Sequence, residues 1–173
     1  MLHINAPAPS FSKIKSYHQG EFKDLSLSDY ADRWLVLFFY PRDFTFVCPT
    51  ELRGFAKHEK EFKDLDCDIV AASTDSEWSH KNWFETDLTE VKYPIIADTS
   101  QALAKAYEVL NEDGSADRGL FIISPEGLIK YIVVSSGSVG RSVTETLRVL
   151  RALQSGDLCP LEWHEGEQTL GHA

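Results

Sequence analysis

The stretch Trp34-Leu-Val-Leu-Phe-Phe-Tyr40 is a continuous apolar run closed by Pro41. A strand that reads apolar at every position is one buried on both faces, and such strands belong to sheets covered by helices on each side. The next segment changes period: Leu52, Phe55, Ala56, Glu59 and Phe62 recur at helical spacing, so one helix from Cys48 to Phe62 is expected. Cys67–Thr74 reads as a second buried strand. The segment from Thr74 reads as a helix, with Thr74 and Glu77 as its cap-like pair. Tyr93–Asp98 is a short strand and Ser100–Val109 a short helix. Arg118–Ser135 reads as a hairpin turning at Pro125-Glu126-Gly127, and Ser142 with Glu145 opens a last helix as a capping box.

Strands that alternate with helices favour parallel crossovers, and a closing hairpin adds antiparallel edges. The expectation is an α/β fold with a mixed central sheet flanked by helices, followed by a C-terminal extension. The domain boundary is set at residues 1–154, with 155–173 as a tail. That tail holds Gly156, Pro160, Gly166 and Gly171 without a period, yet includes Leu158, Cys159, Leu161 and Trp163.

Composition narrows the function. A chain of 173 residues with 43% hydrophobic and 25% charged residues suits one soluble domain. Its formal net charge of −10 argues against nucleic acid or an anionic membrane as partner. No run approaches the about 18 apolar residues of a membrane span, and the first residues lack the pattern of a secretory signal. Three cysteines are a poor disulfide scaffold. A reducing cytoplasm is the expected location.

Cys48 stands where the buried strand gives way to a helix, between Thr45 and Pro49 in Tyr-Pro-Arg-Asp-Phe-Thr-Phe-Val-Cys-Pro-Thr-Glu-Leu. Unpaired N–H groups and the helix dipole favour an anion there, hence a reactive thiolate. Thr45 is positioned to cap the helix. Proline is tolerated in a first helical turn, which suits Pro49. The place is the carboxyl edge of the sheet, where α/β folds hold their sites. The alternative is a packed, inert thiol, the usual state of a lone cysteine. Other thiol chemistries find less support. There is no Cys-x-x-Cys pair, the six histidines are scattered, and no cysteines have zinc-ligand spacing. No local signature marks a Cys–His hydrolase. No cofactor and no metal are expected.

Pro41, Thr45 and Cys48 meet the pattern Pro-x-x-x-Thr/Ser-x-x-Cys, and the segment resembles the active site of typical two-cysteine peroxiredoxins, the branch of the bacterial alkyl hydroperoxide reductase C subunit. Asp117–Gly127 is similar to the family segment with the active-site arginine, here Arg118. Gly137–Gln154 is similar to the one with a second arginine, Arg141. Gly156–Leu170 is similar to the segment with the resolving cysteine, Cys159.

The resemblance implies a thioredoxin-like fold and a thiol peroxidase. Cys48 would be oxidised by peroxide to a sulfenic acid. Arg118 would favour the thiolate and the transition state, Thr45 would stand between sulfur and peroxide, and Pro41 would shield the sulfur. Glu51 and Arg141 would form a charge network that positions Arg118. Cys159 would come from a second subunit and close an intersubunit disulfide, re-reduced by thioredoxin or by a flavoprotein disulfide reductase. A homodimer and a ring of five dimers are implied in the same way. Cys67 matches no family role and reads as a core residue. The Gly-Gly-Leu-Gly loop and the C-terminal Tyr-Phe pair of easily inactivated members have no counterparts here, which implies resistance of Cys48 to overoxidation. The competing functions are a ring-forming holdase or redox-sensing partner, for which the arginine–threonine–cysteine set has no purpose, and a disulfide oxidoreductase, which lacks its second cysteine.

Overall fold

The computed structural model describes residues 1–172. The chain divides into two compact units, Met1–Arg141 and Ser142–Ala173.

In the first unit the apolar run is strand β3 (Trp34–Phe39), central in a seven-stranded sheet of order β2-β1-β5-β4-β3-β6-β7. It pairs in parallel with β4 (Cys67–Ser73) and antiparallel with β6 (Arg118–Ile123). β4 continues in parallel to β5 (Ile95–Ala97), and β6 turns into β7 (Ile129–Ser135). Between them lie α1 (Cys48–Lys57), α2 (Glu59–Asp64), α3 (Glu77–Thr86) and α4 (Ala102–Ala106). The mixed sheet with flanking helices is the expected α/β architecture.

Leu35 to Phe39 are all buried, for the reason the sequence suggested. Successive side chains of a strand point to opposite faces. Leu35, Leu37 and Phe39 join a cluster with Val70, Tyr107 and Phe121. Phe38, on the other face, stacks on Phe55 of α1 with ring centroids 4.4 Å apart. Helix α1 is thereby fixed over the sheet, and its first residue is Cys48. The β6–β7 hairpin turns as expected, with the Gly127 N–H donating to Ser124 O at 2.8 Å.

Two of the helix expectations are corrected here, and one hairpin is added. The helix after Cys48 is two helices, because His58 leaves helical geometry (φ −102°, ψ 6°) and its N–H turns back to Phe55 O. The bend packs the rings of Phe55 and Phe62 5.9 Å apart. The cap of α3 is Ser76, whose hydroxyl accepts the Ser79 N–H, while the Thr74 hydroxyl donates to Gly114 O. The N-terminal segment, given no elements from sequence, forms the hairpin β1 (Ile14–His18) and β2 (Glu21–Leu25), which joins the sheet through β1 and β5. Gln19 and Gly20 turn it with φ of 49° and 90°, the left-handed pair of a type I′ turn.

The second unit is α5 (Val143–Ser155) and the segment after it. The Ser142 hydroxyl accepts the Glu145 N–H, as a cap should. The Glu145 carboxylate turns to Arg148 instead of completing the box. Gly156, at φ 71°, ends the helix. The following chain closes on itself where Leu158 and the stretch Leu170–Gly171 exchange backbone hydrogen bonds. Inside this loop Trp163 is buried, and its carbonyl accepts a hydrogen bond from Arg148 of α5. Among the described residues no helix is long and apolar enough to cross a membrane.

Candidate active site

Topology brings Cys48 and Arg118 together. β6 runs antiparallel to β3 with Leu120 opposite Phe38. Its first residue, Arg118, therefore lies beside the end of β3, where the chain enters the loop to Cys48. Both residues are buried, at 1% and 2% exposure. The Arg118 guanidinium donates to Cys48 Sγ from Nη1 and Nη2, each at 3.5 Å.

The arginine is held on its other edges. Nε donates to Gly137 O at 2.9 Å, and Nη1 also meets Glu51 Oε2 at 2.6 Å. Glu51 sits one helical turn after Cys48, so α1 presents both to the same guanidinium. Arg141 completes the set. Its backbone N–H and Nε donate to Glu51 Oε1 at 2.8 Å, and Nη2 to Oε2 at 2.9 Å. Its Nη1 donates to Gly119 O at 2.7 Å, and its guanidinium lies over the Phe38 ring. A side chain at Gly119 would collide with Val109, at 2.6 Å. Burial alone would raise the Glu51 carboxyl. The hydrogen bonds and charge of Arg141, with the charge of Arg118, outweigh it and hold the group below its usual range.

Cys48 is the first residue of α1, and Pro49 follows in the first turn as expected. Thr45 does not cap the helix. Val47 is the N-cap, and the Thr45 hydroxyl donates to Arg42 O at 2.9 Å. Closing the loop in this way uses the hydroxyl proton and leaves its lone pairs available. Pro41, Thr45, Cys48 and Arg118 all line one cleft of about 360 Å³.

Cys159 belongs to the second unit, where its Sγ lies 3.4 Å from Ser155 Oγ and 3.8 Å from Ala152 O. All three cysteines are free thiols. Cys67, at the start of β4, is buried, and burial pushes its thiol well above the usual range. Among the described residues no group of three or more histidine, cysteine or acidic side chains is placed to hold a metal ion.

Two contributors escaped the sequence reading: the carbonyls of Gly119 and Gly137, which fix the two arginines. A backbone acceptor leaves no trace in residue type, apart from the lack of room at Gly119.

The sheet order, with its parallel crossovers and closing hairpin, defines a thioredoxin-like fold, and solved structures agree. The reduced two-cysteine peroxiredoxin of Plasmodium vivax superposes with a TM-score of 0.93 at 29% identity, covering 98% of this chain and 93% of that one. The AhpC of Enterococcus faecalis gives 0.87 at 39% identity, covering 92% and 100%. The thioredoxin peroxidase of Trypanosoma brucei rhodesiense is 45% identical over 96% of this chain and 89% of that protein. The model of the AhpC/TSA family matches residues 4–132. The chain belongs to the AhpC/TSA family: it is a peroxiredoxin, a thiol-dependent peroxidase.

Proposed function

We propose that Cys48 is the peroxidatic cysteine, reducing hydrogen peroxide and organic hydroperoxides, and that Cys159 of the partner subunit resolves it. The observation that carries this reading is the buried Arg118 fork on Cys48 Sγ, 3.5 Å from each nitrogen. A guanidinium stays charged at any working pH. Buried beside Cys48 Sγ, it places a positive charge next to the sulfur and offers donors to the oxygen on which charge grows.

The thiolate attacks one peroxide oxygen in line. The S–O bond forms as the O–O bond breaks, and the second oxygen takes a proton and leaves as water or alcohol. Sulfur loses two electrons and becomes a sulfenic acid. The lone pairs of Thr45 face the cleft and orient the incoming hydroperoxide, while Pro41 screens the sulfur. Glu51 and Arg141 position Arg118, because a fork bound at three edges cannot swing away.

The thiolate of the resolving cysteine then attacks Cys48 Sγ and expels hydroxide, which leaves as water. The intersubunit disulfide is reduced by a dithiol, from thioredoxin or a flavoprotein disulfide reductase. The working unit is a homodimer, assembled as a ring of five dimers, in a reducing cytoplasm. Residues 1–154 act as the peroxidase domain and 155–173 as the C-terminal tail that carries Cys159.

Stopped-flow oxidation tests the assignment. Cys48→Ser is expected to lose rapid peroxide consumption. Cys159→Ser should keep the first oxidation and lose turnover with the disulfide reductant. Wild-type rates in Cys48→Ser would refute it.

A further inference from the structure

The loop Tyr40–Val47 carries Pro41 and Thr45 and delivers Cys48 to α1. Its backbone is constrained. Phe44 has φ of 54°, a left-handed conformation that a bulky side chain adopts only when its surroundings hold it there. Helix α3 supplies the hold. The Phe44 ring packs on Trp83, centroids 5.4 Å apart. Beside it the carboxylate of Asp43 is buried among donors: Tyr40 Oη–H at 2.7 Å, Ser79 Oγ–H at 2.7 Å and His80 Nδ1 at 2.8 Å.

His80 is wholly buried, and its other nitrogen, Nε2, faces the Ile96 carbonyl of β5 at 3.2 Å. Both ring nitrogens therefore face acceptors. Nδ1 holds the Asp43 carboxylate and Nε2 the β5 carbonyl, so the ring ties the loop to the sheet through both of its nitrogens. Burial first, and then the Asp43 carboxylate, push the Tyr40 hydroxyl well above its usual range, so it stays a donor. A second carboxylate, Asp75, accepts the Asp43 backbone N–H at 2.9 Å and the Ser73 hydroxyl at 2.8 Å. The ionisable groups around the ring are thus Asp43 and Tyr40 from the loop and Asp75 ahead of α3. β5 offers a carbonyl, and the neighbouring side chains on α3 are aromatic.

We propose that His80 is a positioning residue for the peroxidase reaction: paired with Asp43, it clamps the Tyr40–Val47 loop closed over Cys48 and thereby sets how readily the site opens for resolution. The inference rests on Cys48 being the peroxidatic cysteine. Loosening the clamp frees the strained loop to leave α3 and shifts population toward an open arrangement. The closed form reacts with peroxide, and the open form exposes Cys48 to the resolving thiol. Removing His80 therefore moves the two half-reactions in opposite directions.

The test measures both half-reactions by rapid mixing in wild type, His80→Leu, Asp43→Asn and Ser79→Ala. In His80→Leu the first oxidation should slow by at least about tenfold, as expected if the closed fraction falls to about a tenth, while disulfide formation from the sulfenic acid speeds up several-fold. Asp43→Asn should split the rates the same way, and Ser79→Ala more weakly. A merely structural role would slow both steps together. Both steps slowed, or both unchanged, in variants with native circular dichroism would overturn the proposal. Should His80→Leu not fold, Asp43→Asn decides by the same split. Cys48→Ser separates the two readings: if it consumes peroxide normally, the site assignment fails; if it is inert and the clamp variants show no split, only the clamp fails.

Discussion

Glu51 and Arg141 meet through three hydrogen bonds, one of them from the Arg141 backbone N–H. The glutamate spends one carboxylate oxygen on Arg141 alone and shares the other between Arg141 and Arg118. Removing it strands two buried guanidinium groups. Glu51→Ala should lose about 3–5 kcal/mol of stability, the cost of breaking a buried pair from one side, with a smaller loss in Glu51→Gln. Urea denaturation reads the stability. Arg118→Ala should cost about 10²–10³ in the peroxide rate, the scale of removing a charge-stabilising donor. Arg118→Lys should recover only part of it, since an ammonium cannot hold Cys48, Glu51 and Gly137 at once.

The same carboxylate fixes a pH dependence. Its folded-state pKa lies below the ordinary 4.5. A depressed carboxyl contributes stability that is complete above the unfolded pKa and is lost as pH falls through the folded one. The stability gap between wild type and Glu51→Gln should therefore be flat at neutral pH and shrink as the pH drops below about 4.5. Thermal melts across the acid range measure it. A gap that widens on acidification would contradict the assignment.

Cys67 sits in the core with its thiol pushed up by burial, and a protonated thiol is a poor nucleophile. Cys67→Ala should leave both the oxidation of Cys48 and turnover unchanged, at a stability cost of about 1 kcal/mol. In the native wild type, Cys67 should resist alkylation that it accepts once denaturant is added. Mass spectrometry of the alkylated peptides distinguishes the two.

The segment Glu85–Pro94 carries no Gly-Gly-Leu-Gly sequence. Turnover at millimolar peroxide should leave Cys48 largely without sulfinic acid. Early accumulation of sulfinic acid at Cys48, seen by mass spectrometry, would show that other features govern its sensitivity.

The strands β3 and β4 were legible because a doubly buried strand is apolar at every position. Cys48, Pro41 and Thr45 stood out because they fall within one turn and the loop before it. The β1–β2 hairpin was not legible. Glu21 to Asp24 are all exposed, and an edge strand with polar residues on both faces has no period to read. The break at His58 was hidden because helical spacing continues through it. Asp43 and His80 were invisible for another reason. Each is a residue type found mostly on surfaces, and only the packing of α3 against the loop shows that they form one buried pair. Thr45 does not cap α1 because the helix starts at Cys48 with Val47 as its N-cap, which leaves Thr45 two residues ahead of the capping position.

The proposed reaction cycle runs between Cys48 and Cys159 of the partner subunit. A non-reducing gel after stoichiometric peroxide tests it most directly, with wild type, Cys48→Ser and Cys159→Ser side by side. A disulfide-linked dimer is expected in wild type and none in either variant. A linked dimer that persists in Cys48→Ser, or a wild type that stays monomeric on the gel while peroxide is consumed, would contradict it.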